Sequence, residues 1–319
     1  MPIIYAMLMF ATWSLIFPIS KLTLQNAPPV FLTSIRMLLA GFVLLGFLFF
    51  KDRSLLKIGK KQVVPLLVLS VCSIYLTNIF EFWSMQHLSS VKVCFIYGLS
   101  PFLAVILSYF HFGETITRRK VLGMLIGFIG FAPVLLLETG SESLVSIFSG
   151  FSLPDLAMIG AAFFSIYGWI LLRVVVKNQT ISPIFANGYS MLFGGILSLL
   201  HSFFVDQWQP LPIVEGKTLT TFIQVAVMTL ISNIICYNWY GYMLRRFTAT
   251  FLSFCGLFSP IFVSFTSWFL LGEPLSWIIF LSTGIVLSGL FIIYQAELKQ
   301  GYISSKEIPP PDTTECSQN

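Results

Sequence analysis

The sequence predicts an all-α polytopic membrane protein: ten transmembrane helices arranged as two inverted five-helix repeats around a central cavity. Three observations carry this. First, the chain is 56% hydrophobic and only 10% charged, whereas soluble domains are nearer a quarter charged, so lipid rather than a water-covered core must take up the apolar surface. Second, LSPFLAVILSYFHFGE at 99–114 returns as FSPIFVSFTSWFLLGE at 258–273. Ser100, Pro101, Gly113 and Glu114 map onto Ser259, Pro260, Gly272 and Glu273 at a constant offset of 159, the mark of a duplication. Third, each half holds five apolar stretches, an odd number, so the second copy enters the membrane upside down relative to the first. Transporters use that layout to place a substrate site between the repeats.

Span 1 runs from the N-terminus to about residue 24. It carries no basic n-region and no small-residue cleavage site, which reads as a retained helix rather than a signal peptide, and Pro18 is expected to kink it. Span 2 covers about 29–50 and holds Arg36. After the polar stretch KDRSLLKIGKK (51–61), span 3 (63–85) contains Asn78 and Glu81. Span 4 (90–112) has Lys92 near its start and Pro101 in its middle. Span 5 (120–137) opens after Arg118, Arg119 and Lys120. The Ser- and Gly-rich acidic stretch 138–154 reads as the connection between a first repeat, 1–137, and a second, 155–296. Asp155 reads as the N-cap of span 6 (155–176), followed by spans 7 (183–205), 8 (219–244), 9 (248–271) and 10 (275–296). The remainder, 297–319, is polar and proline-rich and is expected to be a disordered tail. Each span is near the ~20 residues that a bilayer requires.

Charge sets the orientation. With the N-terminus inside, fourteen of the eighteen Lys and Arg fall on the inner side and three on the outer, with Arg36 in the membrane. Both termini are therefore expected in the cytoplasm. Pro101 and Pro260 each remove a backbone donor in mid-span and are expected to bend spans 4 and 9 around the cavity. Glu114 and Glu273, at span ends, read as capping and loop-fixing residues. Small residues in span 5 (Gly123, Gly127, Gly130) and span 10 (Ser282, Gly284, Ser288, Gly289) read as close helix-packing faces. The five Cys form no CxxC pair and read as packing thiols.

Charge at membrane depth is costly and marks a cavity or a partner, which singles out Glu81, Arg36 and Lys92. Glu81 shares a helical face with Asn78 and Ile74. At the 159-residue offset that face becomes Tyr240, Tyr237 and Asn233 in span 8, so two symmetry-related helices offer polar, partly aromatic walls. Trp13, Tyr97, Tyr167 and Trp169 are further wall candidates. The competing reading is structural: Glu81 pairs with Arg36 or Lys92 and ties helices together, and Lys92 snorkels to water.

ATWSLIFPISK (11–21), followed by PVFLTSIRMLLAG (29–41), resembles the opening of an EamA-type repeat of the drug/metabolite transporter superfamily. The resemblance rests on Trp13, Ser14 and Lys21 in span 1 and on Arg36 and Ala40 in span 2. PDLAMIGAAFFSIYGWILLR (154–173) is similar to that family's second repeat, and the Pro and Gly-Glu motifs match its fourth and ninth spans. The resemblance implies a ten-helix inner-membrane carrier with a basket-like central cavity, moving amino acids, nucleoside-type metabolites or drugs. Ser190 in span 7 stands where span 2 has Arg36, so the cavity should be electrically lopsided.

A membrane-embedded enzyme or a non-transporting sensor is the alternative of another class. His87, His111 and His201 show no HExxH-type spacing and no GxSxG is present, which disfavours an enzyme. No cofactor and no metal are expected. Expected partners are a small-molecule metabolite and the lipid bilayer, and the net charge of +5 is no argument for nucleic acid; oligomeric state stays open. A cavity holding acid, base and many rings suits a zwitterion with an apolar or aromatic part. Amino acids fit, and so does an adenosyl metabolite such as S-adenosylmethionine, its adenine stacking and its cation facing Glu81; a drug or toxic-metabolite exporter of the same fold is the other option.

Overall fold

The computed structural model describes residues 2–88, 96–138, 152–178, 181–259, 261–262, 265 and 277–302. Among them all regular structure is helical. The helices are α1 (Pro2–Ser14), α2 (Ile16–Leu24), α3 (Pro29–Lys51), α4 (Lys60–Met85), α5 (Ser100–Phe112), α6 (Arg118–Glu138), α7 (Leu153–Arg173), α8 (Pro183–Val205), α9 (Thr218–Met243), α10 (Ala249–Cys255) and α11 (Trp277–Lys299). Six of the described helices are long and apolar enough to cross a bilayer: α3, α4, α7 with the turn to Lys177, α8, α9 and α11 from Phe280. Large rings face outward, Phe50 being 88% and Phe204 87% exposed, as lipid-facing side chains must.

Proline explains the shape of the first two helices. Pro18 cannot donate to the carbonyl of Ser14, and the chain breaks there into α1 and α2 at Leu15. Pro101 behaves differently from expectation. It sits in the first turn of α5, where its missing N–H would be unpaired anyway, so it starts a helix rather than bending one. Pro260, Gly272 and Glu273 lie outside the described residues. Asp155 is likewise not the N-cap: Ser152 caps α7, and the Asp155 carboxylate accepts from the Ser152 N–H (2.8 Å) and hydroxyl (2.7 Å) as a capping box. The last helix runs on through Lys299, past the expected span end.

α4 and α9 each contain a wide π-type turn, at Ser70–Leu76 and Thr229–Cys236. The two begin 159 residues apart, the offset of the sequence duplication. Such turns expose carbonyls and are frequent where helices carry function. Here they precede Asn78 and Tyr237. The Thr77 hydroxyl donates to the Cys72 carbonyl (2.8 Å) and Asn78 Nδ2 to the Ile74 carbonyl (2.7 Å), satisfying groups that the widened turn frees.

Two pairs of helices are packed through glycine, α3 with α8 and α6 with α11. A Cβ at Gly41 would sit 2.7 Å from the Leu192 nitrogen, and one at Gly289 would sit 2.6 Å from the Gly123 carbonyl oxygen. Backbones that close leave no room for a side chain. Gly123, Gly127, Gly130 and Gly289 thus form the expected seam, whereas Gly284 has open space around it and Ser288 is exposed, so these two lie on another face. Gly289→Leu is therefore expected to lower the melting temperature markedly while Gly284→Leu leaves it unchanged. Equal melting of the two would contradict backbone contact at Gly289.

The ends near 114, 173–181, 245 and 300 meet on one face of the bundle, where Arg173 donates to Glu114, Arg245 Nη2 to the Ile181 carbonyl (3.4 Å) and Gln300 Nε2 to the Thr115 carbonyl (3.0 Å). The ends near 24–29 and 205–218 share the other, where the Val214 N–H donates to the Asn26 carbonyl (2.8 Å) and Asn26 Nδ2 to Gln224 Oε1 (3.2 Å).

Candidate functional site

The polar residues picked from spans 2 to 4 converge, in a pairing the spacing did not indicate. Arg36, on α3, donates from Nη2 to Asn78 Oδ1 (3.0 Å). Asn78 is only 4% exposed and is anchored by its bond to Ile74, so the guanidinium is held by a fixed neutral acceptor. Glu81, one turn further along α4, accepts at Oε2 from the Tyr97 hydroxyl (2.8 Å). The partner of Arg36 is therefore Asn78 rather than Glu81, and Glu81 lies within electrostatic reach without a direct ion pair. Tyr237 is within the same reach of both Arg36 and Glu81. Arg36 also stacks beside the Phe82 ring, 5.8 Å from its centroid. Lys92 lies outside the described residues.

Beside these charges four rings close on one another from three helices. Trp13 (α1) and Trp169 (α7) lie 6.1 Å apart between ring centroids, edge to face. Tyr237 (α9) is 5.2 Å from Trp13 and 5.0 Å from Trp169, and Tyr240 is 4.0 Å from Trp169. Helical spacing explains why α9 delivers both tyrosines, since residues three apart share a face. Tyr240 and Trp169 are buried. Asn233, one turn before Tyr237, is fully buried and donates to Met37 Sδ (3.2 Å), so it ties α9 to α3. Tyr167 belongs elsewhere: its ring neighbours are His111 (5.4 Å) and the outward-facing Phe163 (6.1 Å).

Rings fill the middle that was expected to be open. The cleft beside the site lies between α2, α3, α4 and α9, is lined by Ser20, Thr23, Thr33, Arg36, Phe82 and Met228 among others, and has room for about one water molecule. A pocket for a drug-sized molecule needs ~300–1,000 Å³, so a nucleoside-sized solute needs the helices to part.

One set of charges was misread from sequence. Glu114, expected to fix a loop, is 3% exposed and accepts from Arg173 Nη1, with Lys120 Nζ at 3.8 Å. Lys120 also pairs with Glu297 at 2.9 Å. As neighbours of polar loops, Lys120, Arg173 and Glu297 gave no hint of burial. The usable signal was the Gly-Glu motif, whose carboxylate needs a cation once folded inward.

A many-helix membrane protein with a fixed cation, a hydrogen-bonded acid and clustered rings inside has the makings of a solute carrier. The family comparison agrees: the chain belongs to the EamA-like transporter family, whose model matches residues 1–136 and 152–295. It is 42% identical over 297 residues to a protein of Chlamydia muridarum named S-adenosylmethionine/S-adenosylhomocysteine transporter, covering 92% of each chain. A protein of the same name from Chlamydia trachomatis serovar L2 is 41% identical, covering 92% of this chain and 89% of that one. A solved structure titled only as that of a protein superposes with a TM-score of 0.72 at 16% identity over 94% of this chain and 97% of its own, a likeness of fold. The chain is thus an integral membrane carrier of the EamA-like transporter family.

Proposed function

We propose that this carrier moves S-adenosylmethionine and S-adenosylhomocysteine by alternating access, through ten spans built as inverted repeats at 1–137 and 155–296 joined by 138–154. The observation that carries the reading is the meeting of the Tyr97–Glu81 and Arg36–Asn78 pairs with the rings of Trp13, Trp169, Tyr237 and Tyr240. S-adenosylmethionine has one group for each part: a carboxylate for Arg36, an ammonium and a sulfonium for Glu81, and an adenine to stack among the rings. The names of the chlamydial relatives favour the same solutes over amino acids. Matched π turns in α4 and α9 and the two-part family match support the repeat. In proteoliposomes, labelled S-adenosylmethionine should enter saturably and be competed by S-adenosylhomocysteine but not by methionine alone. Equal competition by free amino acids would overturn the assignment.

We place the carrier in a bacterial inner membrane with both ends cytoplasmic, the 297–319 tail included; the Lys and Arg distribution supports this orientation. Reporter fusions at residue 57 and at the C-terminus should behave as internal and one near residue 145 as external. An external C-terminus would defeat the ten-span arrangement.

A further inference from the structure

At the end of the bundle away from the Arg36 cleft, four charged side chains are buried and the solute site uses none of them. Glu114 follows α5, Lys120 lies in the first turn of α6, Arg173 closes α7 and Glu297 lies near the end of α11; they are 3%, 2%, 4% and 0% exposed. Arg173 donates to Glu114, Lys120 pairs with Glu297 at 2.9 Å, and the Thr248 hydroxyl donates to Glu297 Oε2 at 2.6 Å. Two cations face two anions here, and Lys177, just past the end of α7, lies within electrostatic reach of both Arg173 and Glu114.

The pairs differ in what they join. Lys120 and Glu297 sit on α6 and α11, whose backbones touch at Gly123 and Gly289 and so move together. The turn after Glu114 is tied to the same unit: Gln300 Nε2 donates to the Thr115 carbonyl (3.0 Å) and the Thr115 N–H donates to the Tyr302 oxygen (3.0 Å). From α7, the helix that carries Trp169, Arg173 reaches this unit through Glu114.

We propose that Glu114 and Arg173 form the gate at this end, and that Lys120 holds Glu114 when the gate opens. A buried carboxylate that lost its hydrogen-bonded partner with no other cation beside it would be very costly. Lys120, 3.8 Å away, is already placed to accept the released charge, so the end of α7 swings off without stranding Glu114. The inference rests on the alternating-access reading, in which one end stays shut while the other admits solute.

Cys255 reports on the gate without any solute. It is fully buried on α10, within electrostatic reach of Glu297. In the full chain in lipid vesicles, with Cys255 the sole cysteine, Glu114→Gln should raise its rate of modification by a small water-soluble thiosulfonate roughly tenfold, the scale of a coupling between two states. Unchanged protection of Cys255 with a lowered melting temperature would show a static tie and overturn the gate. Should Glu114→Gln fail to fold, Glu114→Cys with Arg173→Cys in a cysteine-free chain gives a second route. Bridging the two thiols with a bis-thiosulfonate, which links them through two disulfides, should stop S-adenosylmethionine exchange, and reduction with a thiol should restore it; full exchange by the bridged protein would overturn the proposal. If the unbridged protein exchanges no S-adenosylmethionine, the solute assignment fails, and the labelling of Cys255 still decides the gate.

Discussion

In Glu81→Gln, uptake of S-adenosylmethionine should fall roughly ten- to a hundredfold, the value of one hydrogen bond to a charged group, while insertion and melting stay near those of the parent. The reason for separating the two readouts lies in the geometry. The amide oxygen introduced by the substitution can still accept from the Tyr97 hydroxyl, as the Glu81 carboxylate does at 2.8 Å, and Arg36 keeps its bond to Asn78. The helices therefore stay tied, and what is lost is the negative charge that we propose faces the solute cation. Tyr97→Phe should have a smaller effect, because it frees the carboxylate without removing it. Full uptake by Glu81→Gln would remove Glu81 from the site, and a large drop in melting temperature with normal specific uptake would make it a structural tie.

Lys120→Met should lose roughly 3–5 kcal/mol of stability, the cost of leaving a buried ion without its partner. Glu297 would be stranded with only Thr248 to donate to it, and Glu114 would keep Arg173 alone. Adding Glu297→Gln to Lys120→Met removes the stranded charge and should recover a large part of the loss. Denaturation in detergent reads both. A Lys120→Met protein that melts like the parent would show that water reaches the network.

Much of the fold was legible because lipid as solvent simplifies the reading. Spans at 29–50, 183–205 and 219–244 agree with α3, α8 and α9 to within a residue or two, since only a helix satisfies its own backbone in hydrocarbon. The places where reading failed are places where one residue type has two roles. Proline in a span bends it or begins it, and Pro101 begins one because the preceding turn at 98–99 already leaves the helix. A glycine in a stripe packs or faces outward according to the neighbour, which separates Gly289 from Gly284. Arg-Arg-Lys before a span marks the inner side whether or not its last residue is buried, so Lys120 satisfied the charge rule and concealed its partner.

The sequence by itself determined that the protein lives in a bilayer, that a motif of its first half returns in its second, and which polar and aromatic side chains are candidates for a solute wall, because charge, period and offset are properties of a chain read in one dimension. Only the tertiary structure decided that Asn78 rather than Glu81 holds Arg36, that Tyr167 turns away from the rings, and that Glu114 is gripped by Arg173. The first and last of these join residues 42 and 59 positions apart in different elements, and such contacts depend on how far each helix is rotated about its own axis. Rotation is set by glycine seams and widened turns, whose effect on direction adds up over a whole span and leaves no local mark in the residues that finally meet.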